Sequence, residues 1–135
     1  MTPRIPTPVP EIPVSDVAAS ITYYQHQLGI GCDWGGVADD LAGLSRDECR
    51  LFLTGPTFRQ GRGNESPIVT WLNLKSRAEV DALFESWKAS NAILLSTPED
   101  KPWGLREFTA ADPDGNQFRV FYDFATPERE AARTT

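Results

Sequence analysis

Asp112-Pro-Asp-Gly-Asn116, followed at once by Gln117-Phe-Arg-Val-Phe-Tyr122, is the stretch of this sequence with the clearest local structure. Pro and Gly flanked by Asp and Asn are typical of a tight turn. After the turn, hydrophobic residues recur with the period of two that a half-buried strand requires. Together with residues 106–110 before the turn, this stretch predicts a β-hairpin near the end of the chain.

Upstream of this hairpin, the sequence predicts a strand and then a helix. Residues 68–74 are apolar and rich in β-formers. Ser76-Arg-Ala-Glu79 has the pattern of a capping box, in which the serine and glutamate side chains satisfy free N–H groups at the start of a helix. Apolar residues then recur at helical spacing, at Val80, Leu83, Phe84 and Trp87. The second half of the chain therefore has the order strand, helix, strands.

The first half of the chain repeats this order. A proline-interrupted extended run at residues 9–14 leads to Ser15-Asp16, a helix N-cap signal. Gly29 marks the end of the predicted helix. One face of that helix carries Val17, Ile21, Tyr24 and Leu28. The two predicted N-caps, Asp16 and Ser76, lie 60 residues apart, close to half of the chain, which indicates an internal duplication.

The first half also contains its own hairpin, predicted at residues 41–44 and 49–54. A short repeat of this kind cannot close its sheet alone, so we expect the two copies to pack into one curved sheet within a single domain. We place module 1 at about residues 8–56 and module 2 at about residues 67–124. A polar linker at about 57–66 joins them, and a charged tail occupies 125–135.

The composition of the 135 residues excludes several classes of function. With 19 acidic against 13 basic side chains, the formal net charge is -6 and no basic block is present, so we expect no nucleic-acid partner. One histidine and two cysteines are too few for a zinc finger or a disulfide scaffold. Without a long apolar stretch or a secretory leader pattern, we expect no membrane association and a cytoplasmic location.

Several motifs within this duplicated plan belong to a known pattern. They are Val14-Ser-Asp-Val-Ala-Ala-Ser20 with Tyr23-Tyr24 and Leu28-Gly29, and the turn at Asp112–Asn116. With these motifs the chain resembles the vicinal oxygen chelate superfamily, which includes glyoxalase I, extradiol dioxygenases and antibiotic-resistance proteins.

Further motifs carry a closer likeness. They are Asp39-Asp-Leu-Ala-Gly-Leu-Ser-Arg-Asp47, Leu51-Phe-Leu53 and above all Pro102-Trp-Gly-Leu-Arg-Glu-Phe108. These residues make the chain similar to the bleomycin-resistance (bleomycin-binding) proteins, over roughly residues 8–123.

The resemblance implies an α+β fold of two βαβββ modules, which form a curved, incompletely closed eight-stranded sheet around an open cleft. It also implies where a metal would bind, because metalloenzymes of the superfamily take ligands from the first and last strands of each module. Here those strands carry Val9, Ile68 or Val69, Leu51-Phe-Leu53, and Arg119. A catalytic metal site needs about three His or carboxylate ligands, so we expect no metal and no other cofactor.

Two residues keep a metal interpretation open. Glu11 lies on the same predicted strand face as Val9, and His26 lies on the first helix between two glutamines, where a solvent-exposed position is expected. Neither residue has an evident second and third partner, so metal-dependent catalysis remains the alternative.

Tryptophans beside glycines predict a ligand-binding site. Trp87 is expected in the core and Trp71 could face either way, whereas Trp34 and Trp103 each adjoin glycine in a predicted loop, where a large ring is either packed away or used for contact. By resemblance, bleomycin binders use an aromatic cleft at a dimer interface, and Trp103 matches the tryptophan of its Pro-Trp-Gly wall. The predicted ligand-binding set is Asp33, Trp34, Leu41, Trp103, Gly104, Arg106 and Arg119, with no catalytic residue.

Charged residues add two expectations about this cleft. Asp33, Asp39 and Asp40 would provide negative potential for a cationic ligand. Arg119 is expected to form an ion pair with Glu107 across the cleft floor.

The sequence as a whole predicts a protein that binds and sequesters a small aromatic or cationic compound, most simply a bleomycin-type antibiotic. We expect a homodimer with clefts at its interface, and a proline-stiffened arm at residues 2–10 that lies on the partner or is loosely ordered. The alternatives are a metal-dependent enzyme of the superfamily, either a glyoxalase-like lyase or a dioxygenase, and a binding module for another metabolite.

Overall fold

A computed structural model describes residues 2–61, 63–127 and 133 of the chain. Arg62 of the predicted linker and most of the predicted charged tail lie outside these residues. The first half forms a four-stranded sheet in the order β1-β4-β3-β2, in which β1 runs parallel to β4 and the other pairs are antiparallel. Its elements are β1 (Glu11–Pro13), α1 (Val17–Tyr23) with a π-helical turn (Tyr24–Leu28), β2 (Gly31–Gly36), β3 (Leu41–Arg46) and β4 (Cys49–Thr54).

The second half forms a five-stranded sheet in the order β5-β9-β8-β6, and β7 also pairs with β8. Strand β5 runs parallel to β9, as β1 does to β4. The elements of this half are α2 (Pro56–Arg59), β5 (Val69–Asn73), α3 (Arg77–Ala89), β6 (Ile93–Leu94), β7 (Glu99–Asp100), β8 (Leu105–Ala111) and β9 (Gln117–Asp123).

This architecture confirms the predicted α+β fold of repeated modules. Both predicted hairpins are present, as β3–β4 and β8–β9. The strands nevertheless belong to two separate sheets, and within the described residues no strand pairing joins them. The second module has one strand more than its repeat because two short strands, β6 and β7, pair side by side along β8. No described helix is both long and apolar enough to cross a membrane.

The predicted helix ends are also confirmed. The Asp16 carboxylate accepts a hydrogen bond from the Ala19 backbone N–H at 3.0 Å, and the Ser76 hydroxyl accepts one from Glu79 N–H at 3.0 Å. Gly29 ends the first helix with a φ of 70°, a left-handed conformation that glycine adopts without steric cost. These contacts fix the residues at which the helices begin and at which the first helix ends.

Both sheets contribute to one hydrophobic core. The Tyr24 ring packs edge-on against Phe118 of the second sheet at 6.0 Å. The indole N–H of the buried Trp87 donates to the Leu28 carbonyl of the first module at 3.0 Å, which confirms its predicted place in the core. Since each sheet buries its helix-facing side in this shared core, its other side is directed away from the core. We call these outer sides the module 1 face and the module 2 face.

The turn between β8 and β9 fastens the two modules together. The Tyr24 hydroxyl donates to the Asp112 carboxylate at 2.7 Å, and the Asn116 side-chain amide donates to the Pro13 carbonyl at 2.8 Å. At the rim, Ser15 N–H donates to the Asp114 carboxylate at 3.2 Å. The turn that is most recognisable in the sequence therefore holds the end of β1 in place.

The predicted linker begins with a structured turn. Helix α2 directs the buried Arg59 side chain toward the ends of β1 and β4, where it donates to the Val14 and Thr54 carbonyls. At its start, Thr57 N–H donates to the Asp40 carboxylate at 2.8 Å. Asp40 is thus part of the framework, and its charge is used to hold this helical turn.

Candidate functional site

The module 1 face presents a tryptophan on a platform of small and aromatic residues. Trp34 is 44% exposed, lies over Gly43, and contacts Phe52 edge-on at 5.2 Å between ring centroids. A Cβ at Gly43 would overlap the indole ring, so only glycine leaves space for Trp34 in this position. The predicted contact residue Leu41 lies two residues before Gly43 on the same side of β3.

The prediction that Trp34 lies in a loop is wrong, because it lies in strand β2. The adjacent glycines suggested a loop, but Gly35 instead allows the backbone of β3 to approach closely. A register shift between Cys32 and Trp34 then sets Trp34 opposite Gly43. The predicted contact residue Asp33 is exposed at this irregularity, next to Trp34.

The module 2 face carries a second tryptophan platform. Trp71 is 48% exposed and contacts Phe121 edge-on at 5.5 Å. Arg119, directly across from Trp71 in the pairing of β9 with β5, places its guanidinium carbon 5.3 Å from the Trp71 ring centroid. Trp71 therefore faces outward, and each module exposes one tryptophan that rests on a phenylalanine of its last strand.

Trp103 lies beside this second platform, in the loop that precedes β8. It is 56% exposed, and its indole N–H is 3.4 Å from the carboxylate of Glu107, which is only 5% exposed. Gly104, with a φ of 91°, shapes this loop, and its carbonyl accepts hydrogen bonds from the Phe124 and Ala125 N–H groups. Gly104 thus positions Trp103 through its backbone and offers no side chain for contact.

Arg106 and Arg119 take different sides of the second sheet. Arg106 points to the helix side of β8, where it forms ion pairs with Asp81 at 2.9 Å and Asp100 at 3.1 Å. The hydrogen bond that Arg106 donates to Asp81, and then the one that it donates to Asp100, raise the pKa of Arg106 against the opposing effect of burial. Arg106 therefore does not reach the module 2 face. The predicted ion pair of Arg119 with Glu107 is not formed, because Arg119 lies against Trp71 and the Glu107 carboxylate faces the Trp103 indole.

The acidic residues expected to attract a cation are also divided. Asp40 is used as a cap of α2, whereas Asp33, next to Trp34, and Asp39 are both exposed. Glu11 lies on the module 1 face, in register with Phe52.

The residues of the described ranges do not fit a metal ion. No group of three or more His, Cys, Asp or Glu side chains comes together there. Glu11 is exposed on the module 1 face, whereas His26 lines a groove of about 370 Å³ between the π-helical turn and the end of α3, together with Arg46, Ser86 and Ser90. These two candidate ligands lie on different sides of the first sheet, so no catalytic step is assigned to a metal.

Gly43, Phe52, Trp71 and Phe121 were missing from the predicted contact set. A glycine inside a strand pattern marks a close approach of another group, and this signal was present at Gly43. The outward direction of Trp71 follows from the neighbours Thr70 and Leu72, which turn toward the core side.

Comparison with known proteins identifies the family. Residues 7–120 match the model of the Glyoxalase/Bleomycin resistance protein/Dioxygenase superfamily. The chain belongs to this superfamily. The chain is 27% identical over 125 residues to a bleomycin resistance protein of Geobacillus stearothermophilus, and the match covers 84% of this chain and 93% of the relative. A bleomycin resistance protein of Staphylococcus aureus matches with the same identity and coverage.

Solved structures of other superfamily proteins have the same fold. A glyoxalase/bleomycin resistance protein/dioxygenase from Nocardioides superposes with a TM-score of 0.72 at 23% identity, covering 91% of this chain and 87% of that one. Lactoylglutathione lyase from Agrobacterium tumefaciens superposes with a TM-score of 0.67 at 16% identity, covering 88% and 96%. At these identities the likeness concerns the fold.

Proposed function

We propose that this superfamily member binds and sequesters a small aromatic ligand, most simply a bleomycin-type antibiotic, without chemical turnover. The observation that carries the proposal is the pair of exposed tryptophans, Trp34 on Phe52 and Trp71 on Phe121. The relatives named bleomycin resistance proteins support this ligand class. Sequestration confers resistance because a bound drug is withdrawn from its target in proportion to protein concentration over Kd.

The proposed cleft requires a second copy of the chain. Within one chain, the module 1 and module 2 faces are both directed away from the shared core, so neither forms a wall opposite the other. In a homodimer, the module 1 face of one chain would lie opposite the module 2 face of its partner. Each dimer would then have two clefts with a tryptophan platform on both walls.

Within such a cleft, the predicted contact residues take distinct roles. Trp34, Leu41 and Trp103 would contact the aromatic part of the ligand, and each well-placed ring contributes about 0.5–1.5 kcal/mol beyond the area that it buries. Asp33 would attract a cationic part. Gly104 holds the Trp103 loop, and Arg106 is left out because it faces α3.

The binding function is tested by titrating the protein with bleomycin and following tryptophan emission. We expect quenching that saturates at low micromolar concentration or better, which corresponds to a binding free energy on the order of 8 kcal/mol. Trp34→Leu and Trp103→Leu should each weaken binding, whereas Lys88→Gln on the exposed side of α3 should not. An emission spectrum unaffected by bleomycin would exclude this ligand.

Metal independence is tested separately by elemental analysis of the purified protein. We expect zinc, nickel, iron and manganese far below one equivalent per chain, and bleomycin binding that chelators leave unchanged. Near-stoichiometric metal that is lost together with binding would instead favour the enzymatic members of the superfamily.

A further inference from the structure

We propose that Arg119 and Trp71 form a subsite for an anionic group, which would bind a carboxylate next to an aromatic ring. The inference rests on the proposed function in one respect, since the subsite lies on the module 2 face that would form one wall of the cleft. It goes beyond that function by assigning a charge to the ligand.

The position of Arg119 in the sheet explains why its side chain reaches this face. Strand β9 lies between β5 and β8, and the residues on either side of Arg119, Phe118 and Val120, are buried in the core. Alternation along the strand therefore directs Arg119 outward. There its guanidinium carbon lies 5.3 Å from the Trp71 ring centroid, within the range of a cation–π contact.

The charge of Arg119 is not neutralised by the rest of the described chain. Four other arginines, Arg46, Arg59, Arg77 and Arg106, each form an ion pair with a carboxylate. Arg119 forms none with the described residues, although it is partly buried. In the described ranges, Arg59 Nε is the buried side-chain polar atom that has no hydrogen-bond partner. The nitrogen atoms of Arg119 are not in that state, so they are not sealed from solvent.

Glu107 is an acidic residue of the module 2 face close to Arg119 in strand register. It lies on β8 opposite Phe121, which is two residues from Arg119 along β9. Its carboxylate is turned to the Trp103 indole N–H at 3.4 Å and is buried there. An anion at Arg119 therefore displaces no internal ion pair.

The geometry selects a planar anion attached to a ring. A guanidinium held over an aromatic ring keeps its in-plane N–H groups available, and these match the two oxygens of a carboxylate. The exposed Trp71 surface beside it offers contact for an attached ring. Glu11 on the module 1 face and the exposed Asp33 next to Trp34 would favour a positive charge at the other end of the same ligand.

The experiment compares two probes of equal shape, 2-naphthoate and its uncharged amide 2-naphthamide, by calorimetric titration of the full-length protein. We expect the carboxylate to bind about tenfold more tightly than the amide, as is typical of a hydrogen-bonded charged pair. Arg119→Gln should remove this preference, chiefly by weakening the binding of the carboxylate. Trp71→Leu should weaken the binding of both probes.

Two further variants separate the subsite from effects on folding or on net charge. Lys88→Gln removes the same charge from the exposed side of α3 and should retain the tenfold preference. Arg119→Lys keeps the charge without the planar fork and should retain part of it. A thermal melt of each variant, compared with that of the natural chain, confirms that the fold is intact.

The inference is overturned if the two probes bind equally, if neither binds at millimolar concentration, or if Arg119→Gln keeps the preference. Failure of the proposed function has a different signature. In that case bleomycin does not change the tryptophan emission, while the carboxylate preference and its dependence on Arg119 persist.

Discussion

Gly43 has no side chain, and this allows Trp34 to lie over it on the module 1 face. The space that a Cβ would occupy is filled by the indole of Trp34, which then contacts Phe52. Because Trp34 is nearly half exposed, little core packing depends on this arrangement. The glycine therefore matters more for the shape of the surface than for the stability of the fold.

Gly43→Ala is expected to displace Trp34 and weaken bleomycin binding by about three- to tenfold, with a small change in Tm. The measurements are the titration of tryptophan emission and a thermal melt. Gly31→Ala is the matched control in strand β2, since a Cβ there meets no atom within 4 Å. Equal binding by the two variants would show that the Trp34 platform does not contact the ligand.

Tyr24 gives the stability a dependence on alkaline pH. Burial, and then the nearby Asp112 carboxylate, raise the pKa of Tyr24 above its ordinary value of 10.0. An unfolded chain loses this proton near pH 10 and the folded chain keeps it. The stabilising contribution is therefore complete below pH 10 and declines as the pH rises further.

Tyr24→Phe should lower the free energy of unfolding by about 1–3 kcal/mol at pH 7, because a buried hydrogen bond to Asp112 is lost. Above pH 10, its stability should fall less steeply than that of the natural chain, by about 1.4 kcal/mol per pH unit. Urea unfolding between pH 7 and pH 11 measures both effects. Parallel pH profiles for the two proteins would contradict this account of Tyr24.

At the scale of elements, Arg106 joins three of them. From β8 it pairs with Asp81 of α3 and with Asp100 of β7. These carboxylates are about half exposed, so solvent screens the pairs and each contributes modestly. Arg106 thus orients α3 on the sheet from the side opposite to the module 2 face.

Arg106→Gln should lower the free energy of unfolding by about 0.5–1 kcal/mol and leave bleomycin affinity unchanged. Chemical denaturation and the emission titration test the two parts. A tenfold loss of affinity without loss of stability would return Arg106 to the contact set.

The elements that the sequence predicted are those with local signals. Asp16 and Ser76 mark the helix starts through contacts within one turn, and alternation defines β9. Trp34 was misplaced because its place in a strand depends on pairing with β3 across a register shift, which its neighbouring glycines do not reveal. The alternation of side chains along each strand was sufficient to predict which side of the sheet each arginine takes. Arg106 alternates in phase with the core residue Phe108, whereas Arg119 is out of phase with the core residues Phe118 and Val120.

At the scale of the whole molecule, the shared core separates the two faces, and the proposed cleft is composed of residues from both chains. Trp34 of one chain and Trp103 of the other would then line the same cleft. This arrangement predicts complementation between two defective variants.

Trp34→Leu and Trp103→Leu homodimers should each bind bleomycin weakly, but their mixture, after subunit exchange, should regain tight sites. Each heterodimer would contain one cleft with both tryptophans and one with neither, so about a quarter of all clefts would be restored by random pairing. Titration of the mixture measures the fraction, and sedimentation measures the mass. A monomer at micromolar concentration, or a mixture that binds no better than its components, would exclude the shared cleft.

The turn between β8 and β9 also constrains how the chain reaches its native state. Pro13 and Tyr24 come early in synthesis, yet their buried polar groups find partners only at Asn116 and Asp112, about a hundred positions later. During translation, these groups of the first module can gain their partners only after residue 116 has left the ribosome. The two repeats, although similar in plan, are therefore expected to fold as one cooperative unit, with closure of this long-range contact as a late step.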